Sequence, residues 1–545
     1  MTETIKNTIR DKAYMRWFVL LLISGLMFST YWFYDMFSGL KELMEFDLGL
    51  SSEEFGRVLG STALANIFGM IIIGGIFLDR FGIRLSGIVF GGLATLGGII
   101  TAGAAAGWFG DEKSSLLLWL IIGRLLFGSG LEIVCVIVTR TVVKWFKGYE
   151  LALAMAISVA FGRLGTALAI AVSLDIAGVT VSPAVTFGAS LIALSMLMFL
   201  VYLIFDIKLD KQTKGPADAQ AAADDEKFRF GDLIKLVTDK SFIYITLLCV
   251  AFYAAVFPFL QYAPDLLVNK FGFTFALPEG AAVELFGSAA LGNAMIYVVI
   301  FVFALAITLV PTNLKKREHQ IASVAAIVGV FALGVFLFRE TLGIWLVNGP
   351  KTASLIPLAT IVFTPIFGTL VDRKGKAASL MILGSLLLIV AHVSLSVLDV
   401  RAFAYLGLIC LGVAFSLVPA AMWPSVAKIV AENKLGTAYA TMFTVQNWGL
   451  GSFFWGIGKV LDMVNPKVVE AIRVAREELV ATGLTDAEVT ERIREMRALG
   501  ELAPYDYTIP ILVLVGCGVI SIFLAYQLKR ADRQQGYGLE RPSNG

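Results

Sequence analysis

Two residues combine a charge with a place where charge is costly. Glu132, in Gly128-Ser129-Gly130-Leu131-Glu132, and Arg163, in Phe161-Gly162-Arg163, each lie inside a long apolar run. At about 1.5 Å of helix rise per residue, each falls within roughly 10 Å of the middle of its run. An ionisable side chain in lipid costs several kcal/mol unless it is paired or wetted. A carboxylate can take up an ammonium, and a guanidinium can clamp a carboxylate through two parallel hydrogen bonds. Together they suit a zwitterion such as a short peptide. The alternative is a structural ion pair between neighbouring helices; the binding role is the favoured reading, and a zwitterion could exchange with that pair.

Other side chains extend this candidate site. Asp35 lies towards the outer end of the first apolar run, where it would bind substrate, gate a pathway or cap a helix. Arg124, in Arg124-x-x-x-Gly128-x-Gly130, suits structure or gating better than ligand contact. Tyr31, Tyr34, Tyr253, Phe257, Tyr262 and Trp423 are candidate cavity linings, although an aromatic side chain more often packs or anchors at an interface. Gln446 and Asn447 are better candidates, because amides in a span need partners and can bond a peptide backbone. Pro258, Pro419 and Pro424 should bend their helices.

The elements that must hold these residues follow from composition. Of 545 residues, 58% are hydrophobic and 16% charged, with a mean hydropathy of +0.81. A membrane helix needs roughly 20 apolar residues, and more than half the chain can be tiled with such segments. The expected fold is all-α and polytopic, with spans near 14–39, 53–78, 84–107, 114–140, 149–174 and 183–206. A polar linker follows at 207–239, then spans near 241–269, 291–311, 320–338, 352–371, 377–397, 402–430, 436–461 and 508–528. That makes fourteen. Basic residues recur in alternate loops: Arg80 and Arg84, Arg140, Lys144 and Lys147, Lys315-Lys316-Arg317, Arg373, Lys374 and Lys376, Lys428 and Lys434, and the tail 529–545 from Lys529-Arg530. By the positive-inside rule both termini are cytoplasmic. Residues 462–506 form one long outward loop. Asn465-Pro466 and Thr485-x-x-Glu488 mark the starts of two short charged helices there, with Gly483 between them. A solvated cap is the expected role.

Composition also excludes functions. A net charge of +2 gives no global field to recruit nucleic acid. Two histidines, His319 and His392, leave little for a metal site, and the four cysteines sit in apolar runs as small hydrophobes. There is no Walker A loop, no nucleophile–base pair and no sign of a cofactor. A membrane-bound enzyme or scaffold therefore lacks support. A cleaved signal peptide is not expected at the N-terminus.

A repeat points to a family. Gly75-Ile-Phe-Leu-Asp79-Arg80-Phe-Gly82-Ile-Arg84 follows the second span, and Gly368-Thr-Leu-Val-Asp372-Arg373-Lys-Gly375-Lys376 follows one in the second half. The shared spacing GxxxDRxG resembles motif A of the major facilitator superfamily, and Arg124-x-x-x-Gly128-x-Gly130 resembles its motif B. The resemblance implies two six-helix halves about a central cavity: residues 1–206 and 240–528. Gly75 and Gly368 would permit close helix contact, while Asp79, Arg80, Arg84, Asp372 and Arg373 would pair with neighbouring helix ends at a gate. Lys376 stands one place early in the second copy. Because the second motif comes two spans late, 291–338 is read as an inserted, peripheral, lipid-facing hairpin.

Shorter stretches resemble the lysosomal dipeptide-uniporter branch of that superfamily. They are Tyr34-Asp35, Trp145-Phe146-Lys147-Gly148-Tyr149-Glu150-Leu151, Ala255-Val256-Phe257-Pro258-Phe259, Trp423-Pro424, Leu435-Gly436-Thr437-Ala438-Tyr439 and Gln446-Asn447. That branch implies a small-molecule partner, a dipeptide whose two termini meet Glu132 and Arg163. It leaves open another small organic anion or amino acid, with proton coupling through Asp35 or Glu132. With no N-x-[ST] acceptor and no acidic dileucine signal in the N-terminal tail, the expectation is a monomer in a bacterial inner membrane.

Overall fold

The computed structural model describes residues 8–110, 112–213, 236–278, 280–431 and 434–542. Apolar runs too long for a strand can satisfy their backbone in lipid only by coiling. Among the described residues extended pairing is confined to isolated bridges at Thr274–Asn348 and Leu285–Ser288. The first half comprises α1 (Ala13–Asp35), α2 (Ser52–Ile67), α3 (Met70–Ala105), α4 (Lys113–Phe146), α5 (Leu151–Ala177) and α6 (Ser182–Thr213). Then come α7 (Lys240–Phe271), α8 (Ala289–Thr312), α9 (Arg317–Leu337), α10 (Leu355–Lys374), α11 (Ala377–Val397), α12 (Arg401–Ile429) and α13 (Leu435–Val464). The short α14 (Pro466–Ala481) and α15 (Asp486–Ala498) precede the last helix, α16 (Thr508–Gln535).

Twelve of these helices are long and apolar enough to cross a membrane, so the chain is a multi-pass membrane protein. Length and composition therefore give twelve where the sequence reading expects fourteen. The difference has two sources. α13 is absent from the twelve, and α3 counts once although its chain doubles back at Gly82. Gly82 has φ 74° and ψ 177°, backbone open to glycine alone. Phe77 and Phe90 meet edge-to-face at 5.6 Å, whereas a straight helix would hold them about 20 Å apart.

The element ends fall on two faces. The near face carries 79–84, 140–150, 312–317, 372–377 and the folded-back tail 536–542. The far face carries 36–51, 178–181, 272–288, 338–349 and 465–507. Of the expected linker 207–239, residues 214–235 lie outside the described residues, and 207–213 continue α6 as helix. Both short helices expected in 462–506 form. Thr485 and Glu488 make the reciprocal capping box, and Gly483 takes φ 81°. The expected hairpin is not uniformly peripheral. α9 buries no residue, but α8 buries Gly292, Asn293, Tyr297, Phe301 and Ala304 along one face.

Candidate functional site

A cavity of about 210 Å³ lies where the two halves meet. Its walls are Tyr31 and Tyr34 of α1, Leu131, Glu132 and Cys135 of α4, Arg163 of α5, Tyr253 and Phe257 of α7, Trp423 of α12, and Phe443, Gln446 and Leu450 of α13. Eight of the sequence-derived candidates thus share one space. Leu131, Cys135, Phe443 and Leu450 were not singled out, because nothing in their types separates them from core residues.

Small residues bring the charges to this wall. A Cβ on Gly128 would stand 2.0 Å from Thr62 O, so only glycine lets α4 close on α2 one turn before Glu132. A Cβ on Gly165 would stand 2.3 Å from Phe28 O, which likewise sets α5 against α1 beside Arg163. Arg163 lies over the Phe415 ring at 4.8 Å, a cation–π contact that leaves its hydrogen-bond donors free. Glu132 faces the side-chain amide of Asn447 from the opposite half. Among the described residues no ion pair joins Glu132 to Arg163.

The second-half wall is aromatic. Tyr253 stacks with Phe257 at 5.3 Å and with Trp423 at 6.4 Å. Trp423 Nε1 donates to Tyr253 Oη at 3.1 Å, and Cys249 Sγ donates to Gln446 Oε1 at 3.3 Å. The remaining candidates lie off the cavity. Asn447 is buried behind it, with Nδ2 donating to Phe443 O at 2.9 Å. Tyr262 is buried against Phe55 and donates to Phe454 O. Asp35 does not line the cavity: its carboxylate accepts from Thr166 Oγ1 of its own half and Gln261 Nε2 of the other, both at 2.7 Å. Each oxygen thus already has a protein donor, and Asp35 is buried away from the cavity. Arg124 is buried, donates to Phe33 O and Tyr34 O, and is ringed by Phe33, Tyr34, Phe37 and Phe127. It braces the end of α1.

At the far face the halves are bolted together. Lys41 Nζ lies 3.1 Å from Asp265 of α7, both fully buried, and Tyr507 donates to the same carboxylate. Ser38 Oγ donates to Leu260 O at 2.6 Å. Ser52 and Glu53 N–H groups donate to Asp462. The outward helices add more: Arg476 donates to Phe46 O and Asp47 O, Arg497 reaches both Glu42 and Asn269, and Tyr505 donates to Glu45. The 462–506 segment is therefore a clamp on the first half and not merely a solvated cap. The reasoning that isolates Glu132 applies equally to Asp265, an acid inside an expected span, and would have found this network.

The near face is different. Asp79 pairs with Arg140 at 2.5 Å, Arg84 with Asp206 and Asp210, and Lys144 with the same two acids. All lie in the first half. Arg80 sits over Phe81, and Asp372 and Arg373 are exposed with no ion pair among the described residues. The expected close packing at Gly75 and Gly368 is absent: a Cβ on either meets nothing within 4 Å. Both glycines face open space rather than a neighbouring helix. In the second motif Gly375 takes φ 67° and is covered by the backbone of 540–542.

Comparison with known proteins gives a consistent set of matches. Residues 23–350 match the family model of the Major Facilitator Superfamily. The lysosomal dipeptide transporter MFSD1 of Danio rerio is 28% identical over 490 residues, 86% of each chain. That of Homo sapiens is 26% identical over 465 residues, 82% of this chain and 80% of its own. A bacterial homologue of the human lysosomal transporter Spinster, solved inward-facing and unoccupied, superposes with a TM-score of 0.55 at 15% identity, covering 96% of this chain and 98% of that one. The nucleoside transporter NupG gives 0.52 at 14%, covering 94% and 99%. These two structures speak to the fold alone.

Proposed function

Because the chain belongs to the major facilitator superfamily of transporters, we propose that it moves dipeptides or similar small zwitterions across its membrane by alternating access. The observation that carries this reading is the pair of opposite charges, Glu132 and Arg163, lining one cavity without neutralising each other. Glu132 holds the peptide ammonium and Arg163 clamps the carboxylate through its planar fork. The two groups belong to the first half, while Tyr253, Phe257, Trp423 and Gln446 of the second half cover the body of the ligand. A volume of about 210 Å³ is below the roughly 300–1,000 Å³ of pockets for drug-sized ligands, which favours a small solute. The MFSD1 relatives, named as dipeptide transporters, support the same class.

On this reading the near face is cytoplasmic and the membrane a bacterial inner membrane; the basic residues of the near-face loops support that orientation. With the near face cytoplasmic, the bolted far face supports reading this conformation as inward-facing. Asp79, Arg84 and Arg140 hold the near-face end of the first half together, and Arg124 braces α1.

Substrate-driven counterflow in proteoliposomes tests transport itself. Thermal-shift titration tests the ligand: free dipeptides should stabilise the protein, and capping the amine or amidating the carboxylate should weaken binding roughly tenfold or more, from about 1.5–3 kcal/mol per charged hydrogen bond. Glu132→Gln should lose little further affinity for an amine-capped peptide. Equal binding of capped and free peptides would sink the zwitterion model.

A further inference from the structure

The inserted hairpin is not a lipid-facing ornament at its first helix. α8 enters the crevice between α5 of the first half and the α10 region of the second. Its buried residues 293, 297, 301 and 304 recur at one-turn spacing. Asn293 Nδ2 donates to Asp175 Oδ2 of α5 at 2.9 Å, and Lys351 Nζ of the short helix Gly349–Ala353 reaches the same oxygen at 2.5 Å. Lys351 is 3% exposed and also donates to Ala171 O at 2.5 Å. A cation is favoured there, in the last two turns of α5, where carbonyls point out of the helix. Tyr297 Oη bonds Ser354 Oγ at 2.7 Å, which fixes α8 to the second half. Nearer mid-helix, Phe301 meets Phe161 of α5 edge-to-face at 5.4 Å.

We infer that α8, with Lys351, is a latch on Asp175 that holds the far face shut, so that the inserted hairpin takes part in gating. The connectivity forces the consequence. α8 is tied to the second half by its loops and by Tyr297, so separation of the halves at the far face must strip both donors from Asp175. Lys351 is buried and Asp175 partly so, and a buried ammonium stripped of its carboxylate is left as a stranded charge; the latch therefore favours closure until the crevice is wetted. α9 contributes nothing to this: it buries no residue and touches α8 through the stacked Phe303–Phe331 pair.

The test is a distance distribution across the far face, with the full-length protein in nanodiscs and labels carried by unnatural amino acids at positions 114 and 400. Asn293→Asp, which sets a second carboxylate beside Asp175, should raise the far-open population by roughly tenfold or more. Asp175→Asn should act in the same direction. The exchange Asp175→Asn with Asn293→Asp should return the distribution towards wild type, because Lys351 again meets one carboxylate. Phe331→Ala on α9 should change nothing. Should Asn293→Asp fold poorly, Asn293→Ser gives the same reading with a smaller shift. A distribution unmoved by Asn293→Asp or Asn293→Ser, an exchange that fails to restore it, or an equal shift from Phe331→Ala would overturn the latch. The inference rests on moving halves. Lys41→Met, which breaks the separate far-face bolt, distinguishes the failures: if it opens the far face and the latch variants do not, only the latch falls, and if nothing opens it, alternating access falls as well.

Discussion

The two faces of the protein use similar residues to opposite ends. At the far face these pairs cross from one half to the other and each has at least one buried member: Lys41 to Asp265, Arg497 to Glu42, Lys351 to Asp175. At the near face the ion pairs described stay within one half, and apart from the buried Asp206 most of their members are partly wetted, as Asp79 with Arg140 and Arg84 with Asp210. A buried pair contributes little net stability, yet losing one member is costly because the other is left as a stranded charge. An exposed pair is screened and weak. On the proposed alternating-access reading, the far face would act as the switch between the halves, and the near-face pairs as a brace within one half.

The largest expected effect breaks the far face. Lys41→Met should strand Asp265 and cost about 3–5 kcal/mol of the closed state, read as a fall in melting temperature or as far-face opening in the label distances. Lys41→Met combined with Asp265→Leu should recover most of that loss. A smaller effect follows from Gln261→Leu, which removes the cross-half donor to Asp35. The unmade bond should cost about 1–3 kcal/mol, visible as a shorter dwell in the closed state by single-molecule fluorescence.

Acidity sharpens the contrast next. Asp47, in the far-face loop, accepts from Val181 N at 2.7 Å, and burial raises its carboxyl to about 6. The closed state thus favours the protonated acid. Its contribution to closure is fully present below the ordinary carboxyl value of 3.8 and is lost as pH rises from there through about 6. The closed-to-open ratio should be about tenfold higher at pH 5 than at pH 7, and Asp47→Asn should flatten the dependence. The smallest effect is expected at the near face. Asp79→Asn breaks a pair that is 20% and 35% exposed, so the melting temperature of this far-closed state should change by no more than about 1 kcal/mol would produce. A large loss there would erase the distinction between the faces.

Helix type, the membrane setting, the duplicated motif and Glu132 and Arg163 as candidates were legible in the sequence, because each depends on local chemistry: apolar runs coil in lipid, and a charge within them is conspicuous. The capping box at Thr485 is equally local. Other features depend on what the chain meets after folding. Gly75 and Gly368 were read as contact points, yet whether a helical glycine touches a neighbour depends on how far apart the helices stand. Asp35 has the same residue type and burial as a binding acid, but Thr166 and Gln261, 131 and 226 residues away, determine that its oxygens are occupied. The clamp by residues 462–506 and the seating of α8 against Asp175 are likewise set by partners more than a hundred residues distant in the chain. Sequence alone determined which segments coil, where charge is anomalous and which family the chain resembles. Only the tertiary structure decided which of those charges face each other, which are already satisfied, and which face of the bundle is shut, because electrostatic and packing energies depend on distances that no local pattern records.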